Sequence, residues 1–525
     1  MKIKIPNAAL SLLCALAAFT SAGASISAAN AADRALRPHV ETLDAMFGAA
    51  RYDIGAPGLV YGVVSDGKLQ HVKSFGVRNV ETGAPVTPKA AFRIASMTKM
   101  MTSLLIYDLY DQGKIYLDAP AEQYVPALKD LEYPTKDSRK VTVRDMVNHT
   151  AGFVTDDPWA DRQMARTNAE LDAFIADAKP FSFAPGEQWE YSNLGYVLLG
   201  RIIENVTGQT FAERMQERIL NPLGMTGSGM EVAEISDATR AYGYQKINGE
   251  FVDEPVLASG SFDPLGGMWT TAEDYGRFVA WMISAWPARD DAEKDGAIPR
   301  RVVRMATDGA HLRSARRRGG LNGDSDCIVA SAYGMGLGQY RHCNAGLVLG
   351  HGGGFPGFGT FVLIAPEKGF GVFAFANHTY AESDAPVWDA VAHLAENNYG
   401  GASPNWTADP ALTDAYAGVA RAYAAGNINA GGLSFADNFF LDRSAGRWNA
   451  QLADIRKEAG DCKDDSALSP YGRLSGSFTW ACEKARVTGN IILSPIKPSP
   501  VQLLHLRFNQ RNGAGREMVI DYDFH

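Results

Sequence analysis

Two apolar hairpins, one near residue 65 and one near residue 368, constrain this chain more than any other feature. Residues 59–64 and 69–75 flank Ser65-Asp66-Gly67-Lys68, an Asp-Gly turn between two strand-like runs. Residues 359–365 and 370–376 flank Pro366-Glu367-Lys368-Gly369 in the same way. Between the hairpins the periodicity is helical. Met97, Met100, Met101, Leu104 and Leu105 keep helical spacing and predict a helix from Ser96 to near Gly113. A second apolar stretch, residues 194–206, ends at Gly208, where a left-handed residue is often wanted. Residues 168–178 add a shorter helical patch. Strands at both ends with helices between predict an α+β domain whose sheet is assembled from distant parts of the chain.

A chain of 525 residues exceeds what one core usually organises. Gly400, Gly401, Pro404 and Pro410 cluster within residues 397–410 and predict a linker there. The larger domain would then occupy residues 32–396. Residues 411–525 would form a small C-terminal α+β domain, opening with a helix near 411–425. Hydrophobic content of 46% excludes a mainly disordered chain. Net charge −9 argues against nucleic-acid binding and against docking on anionic membranes.

Lys2 and Lys4 precede an apolar run from Ala8 to Phe19 and then small residues through Ala32, the layout of a secretory signal. The best cleavage site follows Ala29-Asn30-Ala31, so residues 1–31 are read as a signal peptide and the protein as periplasmic or secreted. Cys14 has no small residue before it, against a lipoprotein anchor. No later apolar run is long enough for a membrane span. Cys327, Cys343, Cys462 and Cys482 remain, in two near pairs. Four cysteines allow three connectivities, of which Cys327–Cys343 with Cys462–Cys482 is the simplest. Zinc would need tighter spacing, so no metal or cofactor is expected.

Three short motifs carry chemistry. Ser96-Met97-Thr98-Lys99 opens the first buried helix, so hydroxyl and amine share a face. The helix N-terminus favours a developing oxyanion, and a partly desolvated lysine can help draw off the serine proton. Ser65–Lys68 and Ser494–Lys497 have the same spacing, but the first sits on a turn and the second contains Pro495. Tyr191-Ser192-Asn193 precedes the second buried helix and is the only Tyr-x-Asn among twenty tyrosines. Gly350-His351-Gly352-Gly353-Gly354 reads as a glycine-rich turn against which a substrate could lie.

In order and rough spacing these motifs resemble the serine β-lactamase and penicillin-binding-protein superfamily, in its class C-like branch of D-amino-acid peptidases, esterases and related hydrolases. Phe92-Arg93-Ile94-Ala95, Asn148-His149-Thr150-Ala151-Gly152 and Gly266-Gly267-Met268-Trp269-Thr270-Thr271-Ala272 add to the likeness, which covers about residues 40–395. The resemblance implies a β-lactamase-like antiparallel sheet flanked by helices, with a helical subdomain. It implies Ser96 as acylated nucleophile and Lys99 as its proton partner. Tyr191 would be general base to Ser96 and general acid to the leaving group. Asn193, His351 and Gly353 would meet substrate, and the N–H groups of Ser96 and Gly354 would form the oxyanion hole.

Relatives that are true β-lactamases commonly carry Lys-Thr-Gly where this chain has His351-Gly352-Gly353. A mostly neutral histidine should hold a substrate carboxylate less well. The expected substrate is a small molecule or short peptide, and the expected activity is peptidase or amidase. An esterase, a weak β-lactamase and an acylated penicillin-sensing receptor without turnover are the alternatives, and oligomeric state is open. His149 reads as a turn residue, not a triad member. The four arginines within 313–318 read as a solvated basic loop. Neither Gly-x-Ser-x-Gly nor His-Glu-x-x-His occurs, which removes the α/β-hydrolase and zincin readings.

Overall fold

The computed structural model describes residues 19–157, 159–305, 311–317, 328–400, 407–463, 468–511 and 517–520. It divides into two compact units, Met1–Ala402 and Ser403–His525.

In the first unit the two hairpins lie side by side in one eight-stranded sheet. Its strands are β1 Gly58–Ser65, β2 Lys68–Gly76, β3 His311–Arg317, β4 Ile328–Gly334, β5 Leu337–His342, β6 Gly346–Phe355, β7 Phe358–Ala365 and β8 Phe370–Ala376. The order is β2-β1-β8-β7-β6-β5-β4-β3, with every neighbouring pair antiparallel. Leu59 pairs with Ala376 and Ser65 with Phe370, so the first hairpin docks against the last strand. Asp66 and Gly67 both have positive φ, as a tight Asp-Gly hairpin turn requires.

Alternation along the central strands supplies two cores. Val60, Val64, Val362, Ile364, Phe373 and Phe375 join one cluster, and Leu59, Tyr61, Val63, Leu363, Val372 and Ala374 the other. Both faces of β1 and β8 are therefore buried, which explains why they read as continuous apolar runs. Its helices include α1 Phe19–Asp53, α2 Thr98–Asp111, α3 Val143–Asn148, α4 Asn168–Asp177, α5 Asn193–Thr207, α6 Ala272–Ile283 and α7 Asp384–Glu396. α1 and α7 supply Leu43, Phe47, Val387, Val391 and Leu394 to one core. α2, α3, α5 and α6 pack in the other. α5 ends at Gly208 with φ 72°, the left-handed stop its sequence predicts.

Two expectations change here. The glycine-rich stretch around His351 is strand, since β6 runs unbroken through Gly350–Gly354. The arginine run is strand too: Arg313 lies within β3, while Arg318 is outside the described residues. Both segments have too few apolar side chains to announce a strand, and pairing with β4, β5 and β7 decides their conformation.

The second unit has helices α8 Pro410–Ala425 and α9 Ala445–Ala459 over a six-stranded antiparallel sheet. Leu412, Val419, Trp448, Leu452, Trp480, Val487 and Ile491 fill its own core. Cys462 and Cys482 face each other across an antiparallel pair and form a disulfide. Cys343 is disulfide-bonded, whereas Cys327 lies outside the described residues. Among the described residues no helix is long and apolar enough to cross a membrane, and no group of three metal-ligating side chains occurs.

Candidate active site

The backbone turns sharply to present Ser96. A short strand, Ala91–Arg93, pairs with Trp269–Thr271, and Ala95 then takes a left-handed φ of 50°. For a residue with a Cβ this conformation is strained. Ser96 follows within a 3₁₀ turn, Ala95–Met97, that leads into α2. The turn is seated on the sheet: Thr360 Oγ1 of β7 donates to the Ile94 carbonyl at 2.9 Å. A Cβ on Gly353 would fall 2.2 Å from that carbonyl oxygen and 2.3 Å from Thr360 Oγ1. Gly353 is thus the residue that lets β6 approach the nucleophile turn.

Lys99 is fully buried one turn on, and Ser96 is 8% exposed. The Lys99 ammonium donates to Ser96 Oγ at 3.0 Å, Asn193 Oδ1 at 2.6 Å and the Leu265 carbonyl at 2.7 Å. Burial pulls its pKa down from 10.5 to about 8, against the upward pull of Asp157, Asp161 and Asp156. The Tyr191 phenol is hydrogen-bonded to Ser96, and its ring centroid lies 5.0 Å from Lys99 Nζ. Burial, then Asp157, raise the Tyr191 pKa well above its ordinary value.

Behind Tyr191 a chain of hydrogen bonds crosses from the helical side to the sheet. The Ser192 N–H donates to His149 Nδ1 at 3.2 Å. His149 Nε2 lies 3.2 Å from Tyr333 Oη, and Tyr333 Oη lies 3.0 Å from His351 Nε2. His351 Nδ1 faces the Gly352 carbonyl. The two ends decide every proton. A backbone N–H only donates, so His149 must carry its hydrogen on Nε2 and give it to Tyr333. A carbonyl only accepts, so His351 carries its hydrogen on Nδ1 and takes the Tyr333 proton at Nε2. Both imidazoles are neutral. Burial first and Lys99 second depress both, His351 to about 3. His149 ends α3 with φ 58° and packs against Tyr191 in a tilted ring contact, 4.3 Å between centroids, so it supports the site without touching Ser96 in any described contact.

A loop after α3 adds three carboxylates that sequence reading missed. Asp156 accepts from the Asn193 and Leu194 N–H groups at 2.6 and 2.8 Å, capping α5. Asp157 accepts from the Asn193 amide nitrogen. Asp161 is buried, accepts from Tyr380 at 3.1 Å, and has its pKa raised to about 6 by burial and then by Asp157. The only sequence signal was the adjacent pair Asp156-Asp157 shortly after the His149 turn.

A cleft of about 480 Å³ opens over Ser96. Tyr191, His351 and Gly354 line it with Asp157, Asp161, Trp189, Arg313, Tyr333 and Tyr380. Asn193 and Gly353, expected to meet substrate, are not among these lining residues. The Asn193 amide is engaged by Lys99 and Asp157, and Gly353 packs under Ile94.

The family profile described as Beta-lactamase matches residues 33–396. Protein flp of Staphylococcus aureus (strain NCTC 8325 / PS 47) is 26% identical over 328 residues, 61% of this chain and 59% of that protein. The match thus spans about three-fifths of that relative's length. A Beta-lactamase of Pseudomonas fluorescens is 26% identical over 345 residues, 62% of this chain and 90% of that protein. Among solved structures, the octameric penicillin-binding protein homologue from Pyrococcus abyssi superposes with TM-score 0.57 at 22% identity, over 91% of this chain and 95% of its own. A class C β-lactamase gives TM-score 0.53 at 20% identity, over 69% and 96%. These two structures share the fold.

Proposed function

The chain belongs to the beta-lactamase family of serine hydrolases, and on that premise we propose that it is an exported hydrolase cleaving small amide or peptide substrates through an acyl-Ser96 intermediate. The observation that carries this reading is the buried Lys99 amine, 3.0 Å from Ser96 Oγ, with a pKa brought down to about 8. With that value about a tenth of Lys99 is neutral at pH 7 and able to take a proton.

In the proposed cycle Lys99 takes the Ser96 proton as Oγ attacks the substrate carbonyl carbon. The oxyanion is held by the N–H groups of Ser96 and Gly354. The carbonyl re-forms and the bond to the leaving group breaks. The proton held on Lys99 returns to the leaving group through the Tyr191 hydroxyl. Water then hydrolyses the acyl-enzyme. Tyr191, with its pKa pushed up, keeps its proton across the neutral range, so it serves as proton donor and relay. The general-base role falls to Lys99. Asn193 holds the Lys99 amine against Ser96.

Export is supported by Lys2, Lys4, the apolar run and the small-residue tail to Ala32, together with the Cys462–Cys482 disulfide. The small-substrate assignment is supported by the size of the cleft. The test compares kcat/KM of the protein and its Ser96→Ala variant on a short D-amino-acid-containing peptide and on a p-nitrophenyl ester of a short acid. Ser96-dependent peptide cleavage is expected. Ester cleavage alone would make this protein an esterase, and stoichiometric acylation without turnover would make it a receptor.

A further inference from the structure

Asn193 opens α5 fully buried, and its side-chain amide stands between a group that only accepts and a group that only donates. Asp157 Oδ1 accepts from its Nδ2, and the Lys99 ammonium donates to its Oδ1 at 2.6 Å. The two partners leave one orientation of the amide, nitrogen toward Asp157 and oxygen toward Lys99. A tertiary contact puts the carboxylate there. Ser192 stands at the N-cap of α5, yet its hydroxyl makes no cap bond and is buried without a partner. Asp156 takes the cap instead, on the Asn193 and Leu194 N–H groups at 2.6 and 2.8 Å, and so fixes where its neighbour Asp157 falls.

The orientation matters once Lys99 loses its proton. The ammonium donates three bonds, to Ser96 Oγ, Asn193 Oδ1 and the Leu265 carbonyl. A neutral amine keeps two hydrogens and one lone pair. Two of the three partners are carbonyl oxygens, which only accept, and they take both hydrogens. The lone pair is left to Ser96, whose hydroxyl can donate to it. Turning the Asn193 amide over would place Nδ2 against Lys99, where it donates into that lone pair and occupies the base. It would also bring Oδ1 against the Asp157 carboxylate, acceptor against acceptor. Asp157 heads the charges that raise the Lys99 pKa against burial, so it acts on the same amine a second way.

We propose that Asp157 is a positioning residue: it locks the Asn193 amide with its oxygen on Lys99, and so keeps the lone pair of the neutral amine aimed at Ser96. This deepens the hydrolase reading and rests on it for the proton transfer that Lys99 performs.

The test reads kcat/KM on a p-nitrophenyl ester of a short acid, across the neutral and alkaline range, for the parent, Asp157→Ala and Asp157→Asn. Both variants lose the same charge, so in both the rise with pH should move below the parent's limb at about 8. Their plateaus should part. Asp157→Ala should lose about tenfold or more, the worth of one hydrogen bond to a charged group. Asp157→Asn should fall less, because its own amide oxygen accepts from Nδ2, although the two amides can turn over together. In an Asn193→Ala background Asp157→Ala should change the plateau by less than about twofold, whereas a merely structural loss would appear in both backgrounds alike. An unchanged plateau in Asp157→Ala, an equal loss in Asp157→Asn, or the full loss persisting in the Asn193→Ala background overturns the proposal. Neutron structures at a pH above the Lys99 midpoint need no turnover. They should show the Nδ2 deuterons away from Lys99 in the parent and a turned amide in Asp157→Ala. Nδ2 facing Lys99 in the parent, or one orientation in both proteins, overturns the lock as well. Absence of Ser96-dependent ester cleavage removes the hydrolase reading, and the neutron structures then decide the lock alone.

Discussion

Replacing Tyr333 by Phe removes one oxygen and breaks the chain that joins the two sides of the site. The oxygen accepts from His149 Nε2 at 3.2 Å and donates to His351 Nε2 at 3.0 Å. Both histidines are buried, so the variant leaves one donor and one acceptor without their partner. Each buried orphan costs about 1–3 kcal/mol, and the phenylalanine recovers part of this because it has no hydroxyl to desolvate. A net loss of about 2–4 kcal/mol follows, read as a lower urea midpoint with an unchanged slope. Catalysis should fall too, because His149 packs against the Tyr191 ring and the Ser192 N–H holds that histidine in place. A loss of about tenfold in kcat at nearly constant KM is the expected sign of a displaced proton relay. The pH dependence gives a second reading. The folded protein keeps His351 unprotonated down to about pH 3, while the unfolded chain binds that proton near pH 6.5. This contribution to stability is therefore present above pH 6.5 and drains away as pH falls toward 3. Without the Tyr333 proton the neutral form is less favoured, the His351 pKa rises, and the acid-side slope of stability flattens. A variant within about 0.5 kcal/mol of the parent, with the same kcat and acid slope, would refute the assignment of protons along the chain.

Two further outcomes follow from the same geometry. With Lys99 at about 8 as the base, kcat/KM on a neutral ester should rise with pH and level off above about pH 8. Lys99→Met should remove that limb and nearly all activity, and a pH-independent residual rate equal to the parent's would assign the base elsewhere. Gly353→Ala should lose about 1–3 kcal/mol of stability or activity to match, the range seen for overpacked sites, since its Cβ would meet the Ile94 carbonyl at 2.2 Å. Thermal melting together with Ser96 acylation checks this, and a fully active, fully stable variant would show that the turn can shift away at no cost.

What the sequence makes legible here is what lies within a few residues. Ser96 and Lys99 meet because three residues along a helix share a face, and the Asp66-Gly67 turn closes its hairpin from local preference alone. The state of His351 is another matter. Its neighbours in the chain are glycines, and its neutrality is imposed first by burial and second by the Lys99 charge from α2. A rule about histidine near pH 7 gives the right charge for an incomplete reason, because the burial and the charge that decide it are brought there only by the fold. Arg313 shows the opposite error. In sequence it is one of four arginines and reads as solvated surface, and a one-residue register shift against β4 turns it onto Trp189 in the cleft. Both readings run short for the same physical reason: burial, hydrogen-bond partners and ring contacts are set by strands and loops far away in the sequence, and composition does not carry them.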